Sequence, residues 1–168
     1  VVNAYENDQP WPAGARIKRL RVVALFPKDN SVADQPNIGL ASQSLCRGVL
    51  GTVPVESDGS ASFRVPVGMG LYFQALDENG LAVQTMRSAT YLHPGETLTC
   101  LGCHEAKHAT SGVGEGLRPL AMGRAPSELE PEATGSFPLT FPRLVQPVLD
   151  AKCVACHNEH AKKGAPCL

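Results

Sequence analysis

The sequence predicts an α+β chain: a small antiparallel β-sandwich over residues 1–99, then an irregular, partly helical region over residues 100–168. Three observations predict it. Apolar residues alternate with period two in several short runs before residue 100. One run near the C-terminus repeats its apolar residues at helical spacing. Between the two lies a stretch rich in Gly, Pro, Ala and Ser with little periodicity.

The strands follow from alternation. Leu20, Val22, Ala24 and Phe26 alternate with Arg19, Arg21, Val23 and Leu25. Val49, Gly51, Val53 and Val55 form a second series, Glu56-Ser57-Asp58-Gly59-Ser60 supplies a turn, and Ala61, Phe63 and Val65 continue the pattern. Residues 71–76 and 81–86 flank Asp77-Glu78-Asn79-Gly80, a hairpin signal. Short strands spaced by turns suggest a small sandwich. Pro94-Gly95 is expected to turn the chain toward residue 100.

Residues 105–138 are expected to be either an extended segment with some short helix, packed over a cofactor surface, or a flexible linker. From Phe141 to Cys153 the chain reads as helix. Phe141, Leu144, Val145, Val148 and Leu149 share one face, Thr140 can cap, and Pro142 suits the first turn. Pro147 should kink this helix or divide it, because proline removes a backbone donor and clashes with the preceding turn.

Composition narrows the function classes. A net charge of -1 gives no sign of nucleic-acid binding. No run of 18 apolar residues is present, so no transmembrane segment is expected. The opening Val1-Val2-Asn3-Ala4 is not a signal peptide. Either a leader has been removed or the chain is a piece of a longer polypeptide.

The cysteines are the informative residues. Four of the six form two Cys-x-x-Cys pairs, Cys100/Cys103 and Cys153/Cys156, each followed at once by histidine, His104 and His157. With 5 histidines in 168 residues, two such placements by chance are expected at about one in a thousand. Cys-x-x-Cys-His is the attachment signal of c-type haem. Each thiol can form a thioether to one haem vinyl group, and the following imidazole can reach the iron. The sequence therefore predicts two covalently attached haem c groups, with His104 and His157 as iron ligands. Structural zinc is the rival, but zinc ribbons separate their pairs by about 15–20 residues. Here 49 residues lie between Cys103 and Cys153, and zinc leaves both adjacent histidines unexplained. A thioredoxin-like motif would want a βαβ pattern, which is not evident. Haem attachment of this type takes place outside the cytoplasm, so a periplasmic or extracellular location is expected. Parity then suggests a disulfide between Cys46 and Cys167. The alternative is two unpaired thiols, Cys46 buried beside a strand and Cys167 frayed at the terminus.

Several blocks of the chain resemble a known family. They are Ser60-Ala61-Ser62-Phe63, Tyr72-Phe73-Gln74-Ala75-Leu76-Asp77 and Met86-Arg87-Ser88-Ala89-Thr90-Tyr91, with His93-Pro94-Gly95-Glu96 leading to Cys100-Leu101-Gly102-Cys103-His104-Glu105. Residues 141–150 complete the set. The chain looks like the haem-bearing middle and C-terminal region of proteins similar to the hydrazine synthase alpha subunit. In that family a β-propeller commonly precedes this region and further sequence commonly follows it. The resemblance implies one catalytic haem and one that passes electrons. The family's catalytic haem has a Tyr ligand shortly after its attachment motif. The matching position here is His108, a departure from the pattern.

A second axial ligand decides what each haem does: filled sites make an electron carrier, and an open one admits substrate. The candidate distal ligands are His93, His108 and His160. His108 and His160 follow the motif histidines by four and three residues, so on a helix each shares a face with its neighbour and is badly placed to cross its own haem. His108 could instead replace His104, bind a metal with it or ligate another haem, or it could be a solvated residue beside Lys107. At least one haem is expected to be bis-histidine. Met69, Met86 and Met122 are alternatives, with Met86 in a strand pattern that reads as core. The leading expectation is a dihaem electron carrier working with other redox proteins or with neighbouring copies, in an oligomer or filament. The alternative is a haem enzyme subunit with an open iron site acting on small nitrogen or oxygen species. The β region is expected to be a scaffold without chemistry of its own.

Overall fold

The computed structural model describes residues 1–6, 11–27, 46–103, 118–132 and 141–158. Its centre is one antiparallel sheet of four strands: β1 (Arg19–Phe26), β2 (Cys46–Pro54), β3 (Gly70–Leu76) and β4 (Ala82–Thr85), in the order β2-β1-β3-β4. Among the described residues this corrects the expected sandwich: the strands form one sheet rather than two facing layers. Residues 61–65, which continue the alternation in sequence, belong to none of the four strands, and Phe63 forms an isolated bridge with Ser127.

The alternation in β1 sets the core face. Leu20 pairs with Ala75, Val22 with Phe73 and Ala24 with Leu71, so their side chains share one side of the sheet. Leu20, Val22, Ala24 and Leu71 are almost fully buried there. Burying each larger side chain contributes about 1.5–3 kcal/mol. In β2 the period breaks. The register slips between Val22 and Val23, which leaves Leu50 as an extra residue, and Gly51 sits at φ 151° beside it. A Cβ on Gly51 would lie 2.6 Å from the Glu130 carbonyl oxygen, so glycine is what lets the later chain approach.

The hairpin forms as its turn chemistry dictates. The Asp77 carboxylate accepts the N–H groups of Asn79 and Leu81 at 2.9 Å, and Gly80 takes φ 77°.

Two segments pack beside the sheet. Residues 1–6 form backbone hydrogen bonds with residues 59–61 on one side and 100–103 on the other. Residues 118–132 open with a short 3-10 turn, Leu120–Gly123, and run as an extended strap. The strap is tied to the sheet by glutamates at alternate positions. Glu128 pairs with Arg64, Glu130 with Arg19, and Glu132 grips Arg21 in a fork of 2.6 and 2.9 Å. The exposed Arg64 pair contributes little, whereas the half-buried Arg21 fork is the stronger tie.

Asp58 anchors the start of the strap. One carboxylate oxygen accepts the Ser60 hydroxyl at 2.6 Å and the Ser60 N–H at 3.0 Å; the other accepts the Leu120 N–H at 2.8 Å. Ser60 is fully buried, and its Oγ accepts the Ala121 N–H at 2.9 Å. Partial burial pushes the Asp58 carboxyl up, but these donors outweigh it and hold it below the ordinary value of 3.8. A depressed folded pKa gives stability that is present above the unfolded pKa and lost as pH falls through the folded one. Asp58→Asn should therefore cost about 1 kcal/mol at neutral pH. The difference from the parent should shrink in urea titrations as pH falls below the ordinary carboxylate value. An undiminished difference there would remove the carboxylate from this account.

The predicted helix is present and divided where proline demands it. Helix α1 (Phe141–Leu144) ends at Val145, and α2 (Gln146–Lys152) restarts with Pro147 in its first turn. The two helices touch each other and none of the four strands. Thr140 lies outside the described residues.

Candidate haem sites

The first motif is held by backbone. The Val2 N–H donates to the Cys100 carbonyl at 2.8 Å, Asn3 to Leu101 at 3.0 Å, and Cys103 donates to Glu6 at 3.2 Å. Gly102 lies against the same segment so closely that a Cβ would sit 2.0 Å from the Glu6 carbonyl oxygen. The spacing Cys100-Leu101-Gly102-Cys103 is thus locked onto the sheet, with Cys103 packed on the cluster of Ile17, Leu20, Val53, Ala61 and Ala75.

Beside it opens an apolar cleft of about 370 Å³, including the space open to solvent. Cys100 and Cys103 line it, with Leu20, Phe73 and Ala75 from the sheet and Gln84, Thr85 and Met86 from the β4 end. Burial pushes the Cys103 thiol up to about 11, and the neighbouring Cys100 adds to the effect. Such surroundings disfavour a thiolate and suit an uncharged thioether. His104 and His108 lie outside the described residues.

The second motif has a different setting. Cys153 caps α2, its N–H donating to Leu149 at 2.7 Å. The Cys156 and His157 N–H groups both return to the Cys153 carbonyl, at 3.0 and 2.9 Å, so the motif is a turn wound onto the helix end. The helix leading to it leaves its apolar face open: Phe141, Val145 and Val148 are 54%, 43% and 58% exposed. In water that face is unfavourable, and a flat apolar cofactor fixed at the helix end would cover it. His160 lies outside the described residues.

The donor chemistry of both motifs, two thiols and an adjacent histidine, fits covalently attached haem. Among the described residues no three His, Cys, Asp or Glu side chains converge as a metal-ion site. No described cysteine is in a disulfide. Cys46 is exposed at the start of β2, not buried beside a strand, and its expected partner Cys167 lies outside the described residues.

Of the remaining ligand candidates, His93 is exposed, packs edge-on to Tyr91 at 5.3 Å, and starts a turn whose Glu96 carboxylate accepts its backbone N–H. It does not line the cleft. Met122 is exposed and Met69 packs on the buried cluster of Val22, Ala24, Leu71 and Leu92. Met86, which reads as core in the sequence, does line the cleft. Periodicity could not reveal this, because a strand end and a cleft wall look alike in one dimension. No described helix is long and apolar enough to cross a membrane.

Comparison with known proteins agrees with this architecture. Residues 15–105 match the family model of the hydrazine synthase alpha subunit middle domain. Hydrazine synthase subunit alpha of Kuenenia stuttgartiensis is 28% identical over 173 aligned positions, covering 74% of this chain and 21% of that protein. The solved structure of Kuenenia stuttgartiensis hydrazine synthase shares the fold, with a TM-score of 0.68 at 21% identity over 96% of this chain and 29% of that one. The chain therefore spans about a fifth of the curated relative's length. With residues 15–105 of its 168 matched, the sheet and first attachment motif together, the chain belongs to the hydrazine synthase alpha subunit middle domain family.

Proposed function

We propose that this chain is the haem-bearing part of a haem enzyme subunit acting on small nitrogen or oxygen species. It carries two covalently attached haem c groups, one at Cys100, Cys103 and His104 and one at Cys153, Cys156 and His157. The observation that carries the reading is the cleft: both cysteines of the first motif line one apolar opening in the core of the domain that the family match covers. Haem, when bound, would supply an iron able to relay electrons or to bind a small molecule. The chain's own residues hold the attachment cysteines in register, exclude water along Leu20, Phe73 and Ala75, and leave the second motif on an apolar helix face. Membership in the family of a named enzyme subunit supports the enzymatic role over a carrier role, and other subunits of an assembly as partners. Thioether attachment implies a periplasmic or extracellular setting. In the reading, the sheet and first motif form one unit, and the helices with the second motif form another.

Electron transfer alone is the second reading, favoured by Met86, a residue type able to ligate haem iron, among the residues that line the cleft. Carbon monoxide separates the two. The reduced, haem-loaded protein is expected to bind it at one of its two irons, because enzymatic chemistry needs an accessible position. Failure to bind at either iron would make the chain a carrier.

A further inference from the structure

We propose that residues 118–132 are a releasable strap, latched to the sheet by its glutamates, whose docking limits how far the helices of the second motif range from the sheet. The proposal does not depend on what the two motifs bind. The strap has the marks of an element of low local stability. Most of its residues are exposed, and its apolar anchors are the buried Ala121 and the half-buried Leu129, which packs on both buried clusters. It forms no continuous ladder with the sheet. Its backbone pairs with Thr52 through Glu130 and with Ser62 and Arg64 through Ser127, at 2.8–3.0 Å. Charge reinforces the first of these bridges. Glu130 reaches Arg19 and Glu132 forks onto Arg21, both from β1. Arg19 also donates to the Thr52 hydroxyl at 2.8 Å, so latch and bridge share one side chain. The sheet is shaped to receive the strap: Gly51, at φ 151°, leaves room for the Glu130 carbonyl.

The latch matters because of where the strap lies in the chain. Docked, it leaves 8 residues, 133–140, between Glu132 and Phe141, the first residue of α1. At about 3.5 Å per residue, α1 cannot begin more than about 30 Å from Glu132. With the strap released, the last fixed point before α1 is Cys103, held by Glu6, and 37 residues, 104–140, follow it. The limit then rises to about 130 Å. The two helices touch none of the four strands, so among the described segments the strap is the one nearest in sequence that ties them to the sheet.

The test uses the full chain and two independent variants. Glu130→Gln combined with Glu132→Gln removes both charges and keeps the side-chain shapes. Gly51→Ala keeps the charges and puts a Cβ 2.6 Å from the Glu130 carbonyl oxygen. In hydrogen exchange, the Thr52, Ser127 and Glu130 amides should exchange about tenfold faster or more in both variants. Amides in the β1–β3 pairing should keep the parent's rates. In small-angle scattering, the maximum dimension of the chain should increase in both. Unchanged exchange in the strap would overturn the latch. A rise shared equally by the β1–β3 amides would overturn it too, because the strap would then open only with the sheet. Faster strap exchange at an unchanged maximum dimension would overturn the limit on the helices.

Discussion

Replacing Cys100 and Cys103 together with alanine is expected to remove one haem from the denatured chain and leave the other. Replacing Cys153 and Cys156 should do the same at the second site. The parent should carry two haem additions in the same spectrum. The thioether is a covalent bond, so each pair acts as an all-or-none requirement for retention after unfolding. The consequences for stability should differ. Cys103 packs on the main core cluster and its segment is bonded to residues 2–6, so loss of the first haem opens the cleft wall and lowers the sheet domain's denaturation midpoint. The second motif follows helices that touch no strand, so its loss should leave that midpoint in place. A parent with one haem or none sinks the dihaem reading. Two haems retained in either double variant would show that these cysteines are not the attachment points.

Gly102→Ala is expected to be the most destabilising single methyl in the described chain. The new Cβ would stand 2.0 Å from the Glu6 carbonyl oxygen and 2.9 Å from its carbon, both backbone atoms that cannot swing aside. Residues 1–6 must then shift, and the bonds from Val2 to Cys100, from Asn3 to Leu101 and from Cys103 to Glu6 weaken together. Strain and lost bonds amount to about 3 kcal/mol. Gly95→Ala is the contrast. Gly95 has open space around its Cβ position but φ 76°, so only the backbone cost of about 1 kcal/mol applies. Denaturant titrations give both values, and amide exchange at Val2, Asn3 and Cys103 should rise in Gly102→Ala alone. Equal stabilities in the two variants would remove the close approach of Glu6 from the explanation.

The hairpin and the divided helix could be read in one dimension, as could the spacing of the candidate attachment motifs, because each depends on neighbours in sequence. Two thiols and an imidazole within five residues are a local chemical unit. Asp77 binds N–H groups two and four residues on, and Pro147 acts on its own turn. The arrangement of strands was legible only in part. Alternation identifies which face of β1 is buried, since side chains on a strand point to opposite sides, but it carries no information on which strands pair. One sheet in the order β2-β1-β3-β4, with the chain at 61–65 diverted to meet Ser127, is a matter of long-range pairing. So is the close approach of Glu130 to Gly51 beside the bulge at Leu50. Glu128, Glu130 and Glu132 look like solvated charge in a stretch without periodicity, and their arginine partners become visible only when the strap lies on the sheet. The same holds for the candidate site. Sequence alone marked Cys100, Cys103, Cys153 and Cys156 with their adjacent histidines as two candidate haem attachment motifs, because that pattern is written in adjacent residues. Only the tertiary structure decided that Met86 shares a cleft with the first pair, because 13 residues of intervening chain separate the two in sequence.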